Sequence, residues 1–358
     1  MKLKKTLLLL FLYTTTNLFA QSDQKTNLFG GIEIGSKGVK ITVVDIQNPK
    51  KAIFEIKDFW TENTGIARGI SIDGKLQKED IDKTAVIVAQ NYYKLLNEYK
   101  IEDAKIFIIG SSGVAMAKNT DDLVVKVKEL TKRTMDFITS ETEAKLLVKG
   151  GIPPSRYLNA LILDIGGGNT KGGFVGVFNE DNFVFMPLNL NLGTITLTEK
   201  IKKKAKNEDF IEFLKSTSRY KDSLGIEVDK MYGVRPLARK KKYIYMSGGA
   251  VWAFTTLTAT RPIDNFYEFT IQEVKNYHVQ LLGDFAKFED AAKTNKDIER
   301  VLKTYSQRHL ISANELLLST LERIEEPDDK KIYFVKQGQI AWLLAYVVDT
   351  AKNAKIIY

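Results

Sequence analysis

The chain contains no cysteine, which excludes disulfides, zinc–thiolate sites and thiol nucleophiles. Only two histidines occur, His278 and His309. A histidine-rich metal centre or a Ser-His-Asp triad has little to stand on, and both residues read as ordinary surface or core side chains. Past the N-terminus no apolar run approaches the ~20 residues of a membrane-spanning helix. Aromatic residues are not interleaved with the basic runs as base stacking requires, so no nucleic acid partner is expected.

What is present describes a globular protein. The 358 residues suffice for two domains of ordinary size. Apolar content of 44% and charged content of 27% are those of a folded, not a disordered, chain. At the N-terminus Lys2, Lys4 and Lys5 precede the apolar run Leu7 to Leu12, and Leu18-Phe19-Ala20 precedes Gln21. A basic segment, a short apolar segment and a small residue read as a signal peptide over 1–20, cleaved after Ala20. The expectation is an exported product, periplasmic or secreted, with no membrane span after cleavage. Residues 1–20 carry three lysines and no acid, so residues 21–358 carry +6 of the chain's +9. Two basic runs stand out: Lys200, Lys202, Lys203, Lys204 and Lys206, then Arg235, Arg239, Lys240, Lys241 and Lys242. They read either as a solvated helix face and a basic loop or as a track for a long phosphate chain.

The most informative stretch is Leu161 to Thr170, LILDIGGGNT. A β-branched apolar run ends in Asp164, followed by Gly166, Gly167 and Gly168. Glycines let a backbone turn approach a ligand and aim its N–H groups at an anion. A carboxylate at the strand end can hold a hydrated divalent cation. The plain alternative is a tight hairpin, because Thr170 to Val177 is also strand-like. The same logic recurs upstream in Phe29 to Ile46, FGGIEIGSKGVKITVVDI, with Glu33 before Gly35, Ser36 and Gly38. A third turn, Ser247-Gly248-Gly249, follows the apolar run Tyr243 to Met246 and precedes the helix-like Ala250 to Leu257. Three such turns argue for two similar α/β domains facing a phosphate-binding cleft, an arrangement that resembles the actin, heat-shock chaperone and sugar kinase superfamily.

Periodicity fills in the rest. Strands are predicted at 32–34, 39–46, 52–60 and 105–110, with helices over 81–99, 121–131 and 141–149, the last capped by Ser140. Gly150-Gly151-Ile152-Pro153-Pro154 punctuates the chain. The domain boundary is placed there, giving domains at 28–150 and 158–350. The second is predicted to hold strands at 160–164, 172–178, 182–190, 243–246 and 332–335. A charge-rich helical region follows Gly193, with further helices at 272–282, 313–324 and 340–350. Strands alternating with helices imply an α/β architecture.

Five segments together carry a narrower resemblance. Gly110 to Asn119, GSSGVAMAKN, is similar to ATSAVRxAxN. Ile138 to Leu147, ITSETEAKLL, is similar to ISGxEEARLI. Asp164 to Thr170 is similar to DIGGGST, Leu190 to Glu199, LNLGTITLTE, to LPLGAVRLTE, and Ser247 to Ala253 to a later GGT turn. Order and spacing are kept. The chain resembles the exopolyphosphatase and guanosine pentaphosphate phosphatase (Ppx/GppA) family from about Leu28 to about Val348.

That resemblance implies two ribonuclease H-like, actin-like ATPase domains around a cleft and phosphoanhydride hydrolysis with Mg2+ or Mn2+. The substrate class it implies is polyphosphate or a phosphorylated guanosine nucleotide, and it is compatible with a homodimer. Glu143 matches the catalytic carboxylate that orients and deprotonates the attacking water. Asp164 and Glu33 match metal-linked acids. Gly35, Ser36, Gly166, Gly167, Gly168, Asn169, Thr170, Ser247, Gly248 and Gly249 match phosphate-cradling positions.

Four positions depart from the family pattern. Glu33 stands where the family has Asp, and Ala115 where it has a phosphate-contacting Arg. Lys171 stands where it has the Glu of GGGSTE. Gly338 to Trp342, GQIAW, is similar to GLREG, but Gln339 lies in a segment that lacks the Arg. Guanidinium contacts are not replaced by Ala or Gln. Lys171 either supplies a point charge to the ligand or bars the metal. Three functions remain open on the sequence: a phosphoanhydride hydrolase, a catalytically degenerate binder of polyphosphate or nucleotide, and an ATP-dependent kinase or actin-like ATPase.

Overall fold

The computed structural model describes residues 27–48, 53–178, 183–205 and 209–354. The expected signal segment 1–20 and Lys206 lie outside them, as does the side chain of Gln339. The first half of the chain builds β1 (Leu28–Gly35), β2 (Gly38–Asn48), β3 (Ile53–Asn63), α1 (Ile70–Asp73), α2 (Lys78–Asn97), β4 (Ile106–Gly110), α3 (Thr120–Thr131), β5 (Asp136–Phe137) and α4 (Ser140–Gly151). The second half builds β6 (Ala160–Ile165), β7 (Thr170–Phe178), β8 (Phe183–Leu190), α5 (Thr194–Lys204), α6 (Phe210–Gly233), β9 (Tyr243–Ser247) and α7 (Gly249–Thr258). It ends with β10 (Phe266–Phe269), α8 (Ile271–Gly283), α9 (Phe285–Ala292), α10 (Lys296–Thr304), α11 (Gln307–Leu321), β11 (Lys331–Val335) and α12 (Gly338–Ala354).

The two halves repeat one sheet plan. The first sheet has the order β3-β2-β1-β4-β5 and the second β10-β11-β9-β6-β7-β8. In each, an antiparallel meander of three strands continues through parallel pairs, β1 with β4 and β6 with β9. β6 is buried along its length and β1 from Gly30 onward, because both faces of each strand are covered. This matches the two-domain α/β expectation, and both acidic glycine turns fall at the first hairpin of their sheet.

Two helices cross between the halves. α4 packs on β6, β7 and β8, while α12, from the far end of the chain, packs on α4 and on β1 and β2. One core cluster therefore mixes Val44 and Ile109 of the first sheet with Ile162, Tyr245 and Val335 of the second and Leu343 and Trp342 of α12. Gly150 and Gly151, read from sequence as punctuation, lie inside α4. A Cβ on Gly150 would collide with the backbone carbonyl of Ala341, so the glycine is required for close crossing of α4 and α12. The turn itself falls to Ile152 and Pro153. The α4 cap also differs from expectation. Thr139, not Ser140, precedes the helix, and its Oγ1 accepts the Thr142 N–H at 3.1 Å.

The short α9 and α10 were not legible in the sequence. α10 is a nine-residue, mostly charged helix that buries Val301, and two turns give too few apolar positions to establish a period.

The crossing makes a direct prediction. Gly150→Ala is expected to destabilise the protein by about 1–3 kcal/mol through overpacking, although Ala is the better helix former. Gly233→Ala, at the end of α6 with nothing within 4 Å of the new Cβ, is expected to be neutral or stabilising by under ~1 kcal/mol. Urea unfolding of both variants reads the difference, and equal midpoints would refute the close-contact account.

Candidate active site

The hairpin turns of the two sheets face one another across a cleft of ≈ 150 Å³ lined by Glu33, Gly35, Ser36, Glu143, Asp164, Gly167, Asn169 and Lys171, among others. The loops are interlocked at glycines. A Cβ on Gly167 would lie 2.9 Å from the Ser36 Cβ, and one on Gly168 would lie 2.9 Å from Ser36 Oγ and 3.0 Å from the Gly113 carbonyl. Gly248 has φ of 92°, and its backbone lies against the Asp164 carboxylate and the Ile165 carbonyl, leaving no space for a side chain.

The Gly166–Asn169 turn is held by the N-terminus of α5. Thr194 N–H donates to the Gly166 carbonyl at 2.9 Å and Ile195 N–H to the Gly167 carbonyl at 2.8 Å. Thr196 Oγ1 donates to the Gly168 carbonyl at 2.9 Å. In a trans peptide the N–H points opposite to the C=O. With three successive carbonyls turned to α5, the N–H groups of Gly167, Gly168 and Asn169 point the other way, toward the Ser36 turn. Among the described residues, those of Gly167 and Gly168 have no recorded protein acceptor. Successive amides so arranged form an anion-binding concavity.

The charged floor was only partly foreseen. Lys171 Nζ lies 2.9 Å from Glu143 Oε1 and 3.0 Å from Asp164 Oδ2. Asp164 and Lys171 are direct cross-strand partners in β6 and β7, which explains their meeting. Glu143 arrives from the first turn of α4, and its other oxygen, Oε2, accepts the Ser112 N–H at 2.9 Å. Ser112 Oγ in turn accepts from Asn169 Nδ2 at 3.0 Å, tying the loop after β4 to the Gly166–Asn169 turn. All of this is buried: Glu143 is 1% exposed, Lys171 5% and Asp164 9%. Burial alone would pull the Lys171 ammonium down, but the Asp164 and Glu143 carboxylates outweigh it and hold it above the usual lysine range.

Glu33 repeats the pattern in the first sheet. It faces Lys40 directly across β1 and β2, with Lys40 Nζ 3.0 Å from Glu33 Oε1. Burial raises the pKa of Glu33, Lys40 opposes the shift, and the Glu143 charge adds to it. The two hairpins are equivalent residue for residue: Glu33-Ile34-Gly35-Ser36-Lys37-Gly38-Val39-Lys40 and Asp164-Ile165-Gly166-Gly167-Gly168-Asn169-Thr170-Lys171. The seven-residue spacing from acid to lysine was the signal that would have found Lys40.

A divalent magnesium ion wants several oxygen ligands in near-octahedral array. Here Asp164 Oδ2 and Glu143 Oε1 already accept from Lys171, and Glu33 Oε1 from Lys40. Among the described residues no group of three or more His, Asp or Glu side chains is placed to hold a metal. With Lys171 in this position the residues present do not fit the expected metal at Glu33 and Asp164.

Other expected positions separate into two groups. Gly35, Ser36, Gly166, Gly167, Asn169, Gly248 and Gly249 line the cleft, and Gly168 backs it against Ser36. Thr170 and Ser247 do not reach it with their side chains. Thr170 is fully buried and donates to the Leu192 carbonyl at 2.8 Å, and Ser247 is fully buried beside Gly338. Strand alternation turns Thr170 to the face opposite Lys171, whereas Ser247 is in register with Asp164 on the same face and is covered there by Gly338 at the start of α12.

The rim adds residues that the sequence did not mark. Lys37 Nζ donates to the Thr304 carbonyl at 3.1 Å and lies 4.7 Å from the Tyr305 ring centroid. Arg300 stacks over Trp252 at 5.2 Å. Burial, with repulsion from Arg68 and Lys202, lowers Lys37 to about 8. His309 is pushed down to about 3 by burial and by Lys37 and Lys202, so it is neutral near pH 7 and shares a contact with Ser306 Oγ at 2.8 Å. The basic runs are largely engaged locally. Lys202 pairs with Glu199, Lys203 donates to the Ile72 carbonyl, Lys204 lies over Tyr220, and Arg239 pairs with Asp229. Those partners favour the solvated-face reading over a continuous track.

Comparison with known proteins agrees with this geometry. The chain matches the Ppx/GppA phosphatase family over residues 43–283. It is 26% identical over 187 residues to a bifunctional 3-dehydroquinate synthase/phosphatase of Fusobacterium nucleatum, covering 50% of this chain and 27% of that protein. It is 22% identical over 189 residues to a guanosine-5'-triphosphate,3'-diphosphate pyrophosphatase of Pseudoalteromonas atlantica, covering 52% of this chain and 35% of that protein. The matched segments thus span about a third or less of these curated relatives. Among solved structures, an Aquifex aeolicus Ppx/GppA family member superposes with a TM-score of 0.61 at 19% identity, covering 90% of this chain and 97% of that one. An exopolyphosphatase from Cytophaga hutchinsonii superposes with a TM-score of 0.64 at 16% identity, covering 88% and 97%. Together with the paired sheets, the interlocked glycine turns and the buried Glu143, the family match over two thirds of the sequence places this chain in the Ppx/GppA phosphatase family.

Proposed function

We propose that this chain is a phosphoanhydride hydrolase that releases terminal phosphate from polyphosphate or from a guanosine pentaphosphate-type nucleotide. The observation that carries the reading is Glu143, a buried carboxylate at the wall of the cleft beside an amide-lined turn. The chemistry needs a base within reach of water and donors aimed at the charge that develops on the transferring group. In this scheme the terminal phosphoryl group lies against the Gly167–Asn169 and Ser36 turns. Glu143 orients a water and takes its proton as the water oxygen bonds to phosphorus. The bridging P–O bond breaks, and the shortened chain leaves with that oxygen. Most of the catalysis is positioning and charge stabilisation rather than covalent work by the protein.

One observation favours a second reading. Both Glu143 oxygens are already engaged, by Lys171 and by the Ser112 N–H. A carboxylate so held is a weaker candidate for activating water, and the same cleft would then bind polyphosphate or nucleotide without turning it over. Lys37, Arg300, Trp252 and Tyr305 at the rim suit either a longer phosphate chain or a nucleoside. Export remains part of the proposal, resting on the N-terminal segment 1–20.

Purified residues 21–358 assayed for phosphate release from long-chain polyphosphate should lose at least ~10²-fold in rate on Glu143→Gln. Equal rates in the two proteins would remove Glu143 from the chemistry. Polyphosphate binding without release would favour the binder. The rim yields a pH prediction. Lys37 is charged below about 8 and neutral above, so its attraction for an anion is lost as pH rises through that value. KM, or Kd for a binder, should rise across that window, and Lys37→Met should flatten the rise. A profile unchanged by the substitution would exclude Lys37 from substrate contact.

A further inference from the structure

We propose that Lys171 is a resident cation that takes the place of a divalent metal ion at this centre, so that the protein works on its anionic ligand without one. The inference uses the hydrolase reading only for its activity arm; the metal-binding arm is independent of it.

Lys171 Nζ sits between Glu143 Oε1 and Asp164 Oδ2 at 2.9 and 3.0 Å. Those are carboxylates from two different elements, α4 and β6, that a shared divalent ion would bridge. An ammonium has three N–H donors and no acceptor. Two donors are committed to the carboxylates, and the side chain that carries the third lines the cleft. The count of groups agrees: the three carboxyl groups Glu33, Glu143 and Asp164 face two lysines, Lys40 and Lys171. A phosphate chain therefore meets a floor that is nearly neutralised by the protein itself. Placing a divalent ion here would bring it against a buried ammonium, with no solvent to screen the repulsion.

The arrangement is duplicated, which argues against an isolated exchange. Glu33–Lys40 in the first hairpin and Asp164–Lys171 in the second occupy matching cross-strand positions at the same seven-residue offset. Each carboxylate expected to ligate metal is answered by a lysine from the adjacent strand of its own sheet. Lys171 also reaches the α4 carboxylate and so bridges two elements.

The test is a Mn2+ titration of residues 21–358 followed by electron paramagnetic resonance, with and without inorganic phosphate, alongside the same titration of Lys171→Glu. The wild-type protein is expected to show no stoichiometric Mn2+ binding below ~1 mM, and the variant to gain one site. Phosphate release by the wild type, where it occurs, is expected to be the same in excess chelator as in Mg2+. Stoichiometric Mn2+ binding by the wild type, or loss of its activity in chelator, would overturn the proposal. So would a folded Lys171→Glu protein that binds no Mn2+. Should that variant not fold, Lys171→Gln gives the same comparison, and the wild-type titration stands by itself. Absence of any phosphate release by the wild type would defeat the hydrolase reading while leaving the titration to decide on the metal.

Discussion

The bridge from Lys171 to Glu143 and Asp164 is the interaction on which the centre of this protein depends. It joins the first turn of α4 to the β6–β7 hairpin and is almost wholly buried at the floor of the cleft. A buried ion pair adds little net stability, because desolvation consumes most of the Coulomb gain. Removing one partner nevertheless costs about 3–5 kcal/mol, because the remaining charge is left stranded. The three residues are thus coupled: a change in one alone carries that cost. That explains how a lysine can hold a place where the family pattern carries a glutamate. Once it is paired, a return to glutamate would put a third carboxylate beside Glu143 and Asp164 and would require a cation to accompany it.

The bridge is held in place by the crossing of α4 and α12. If α4 packed only on the first sheet, Glu143 would travel with β1–β5 and its distance to Asp164 would follow every relative shift of the two halves. Instead α4 rests on β6, β7 and β8, and α12 returns from the C-terminal half to clamp it. The glycine contact at Gly150 allows the two helices to approach to backbone distance. The Asn169–Ser112 hydrogen bond adds a polar link between the same halves at the cleft itself.

Much of this was legible in the sequence. The strand runs, the three glycine turns and the carboxylates at Glu33 and Asp164 could be read from local pattern, and Glu143 from the resemblance of its segment to the family motif. What escaped was what depends on contact. The role of Gly150 inside a helix follows from a carbonyl almost two hundred residues away. Ser112 was given no role within its segment, yet its N–H holds one oxygen of Glu143 and its Oγ accepts from Asn169. Lys171 was legible as a departure, but its two acceptors were not, because one of them lies on a helix distant in sequence. Thr170 and Ser247 were assigned to phosphate on motif position. Strand alternation turns Thr170 to the core, and the start of α12 at Gly338 covers Ser247, a contact that motif position does not show.

Charge deserves the same local treatment. The positive balance of the whole chain invites a picture of a basic surface gathering a polyanion, but the basic runs mostly answer neighbouring carboxylates, carbonyls and rings. At the cleft floor the carboxylates outnumber the lysines that face them. On the proposed reading, attraction for a phosphate chain would arise from the amides of the turns, whose partial charges are fixed by the backbone, and from the cations of the rim. Amide donors are not screened by their own counter-charges, since the matching carbonyls are bonded to α5 on the far side of the loop. On the proposed reading these donors suit a terminal phosphoryl group, whose three oxygens can each accept from a different N–H. On the same reading the phosphates beyond it would meet Lys37 and Arg300, which also line the cleft.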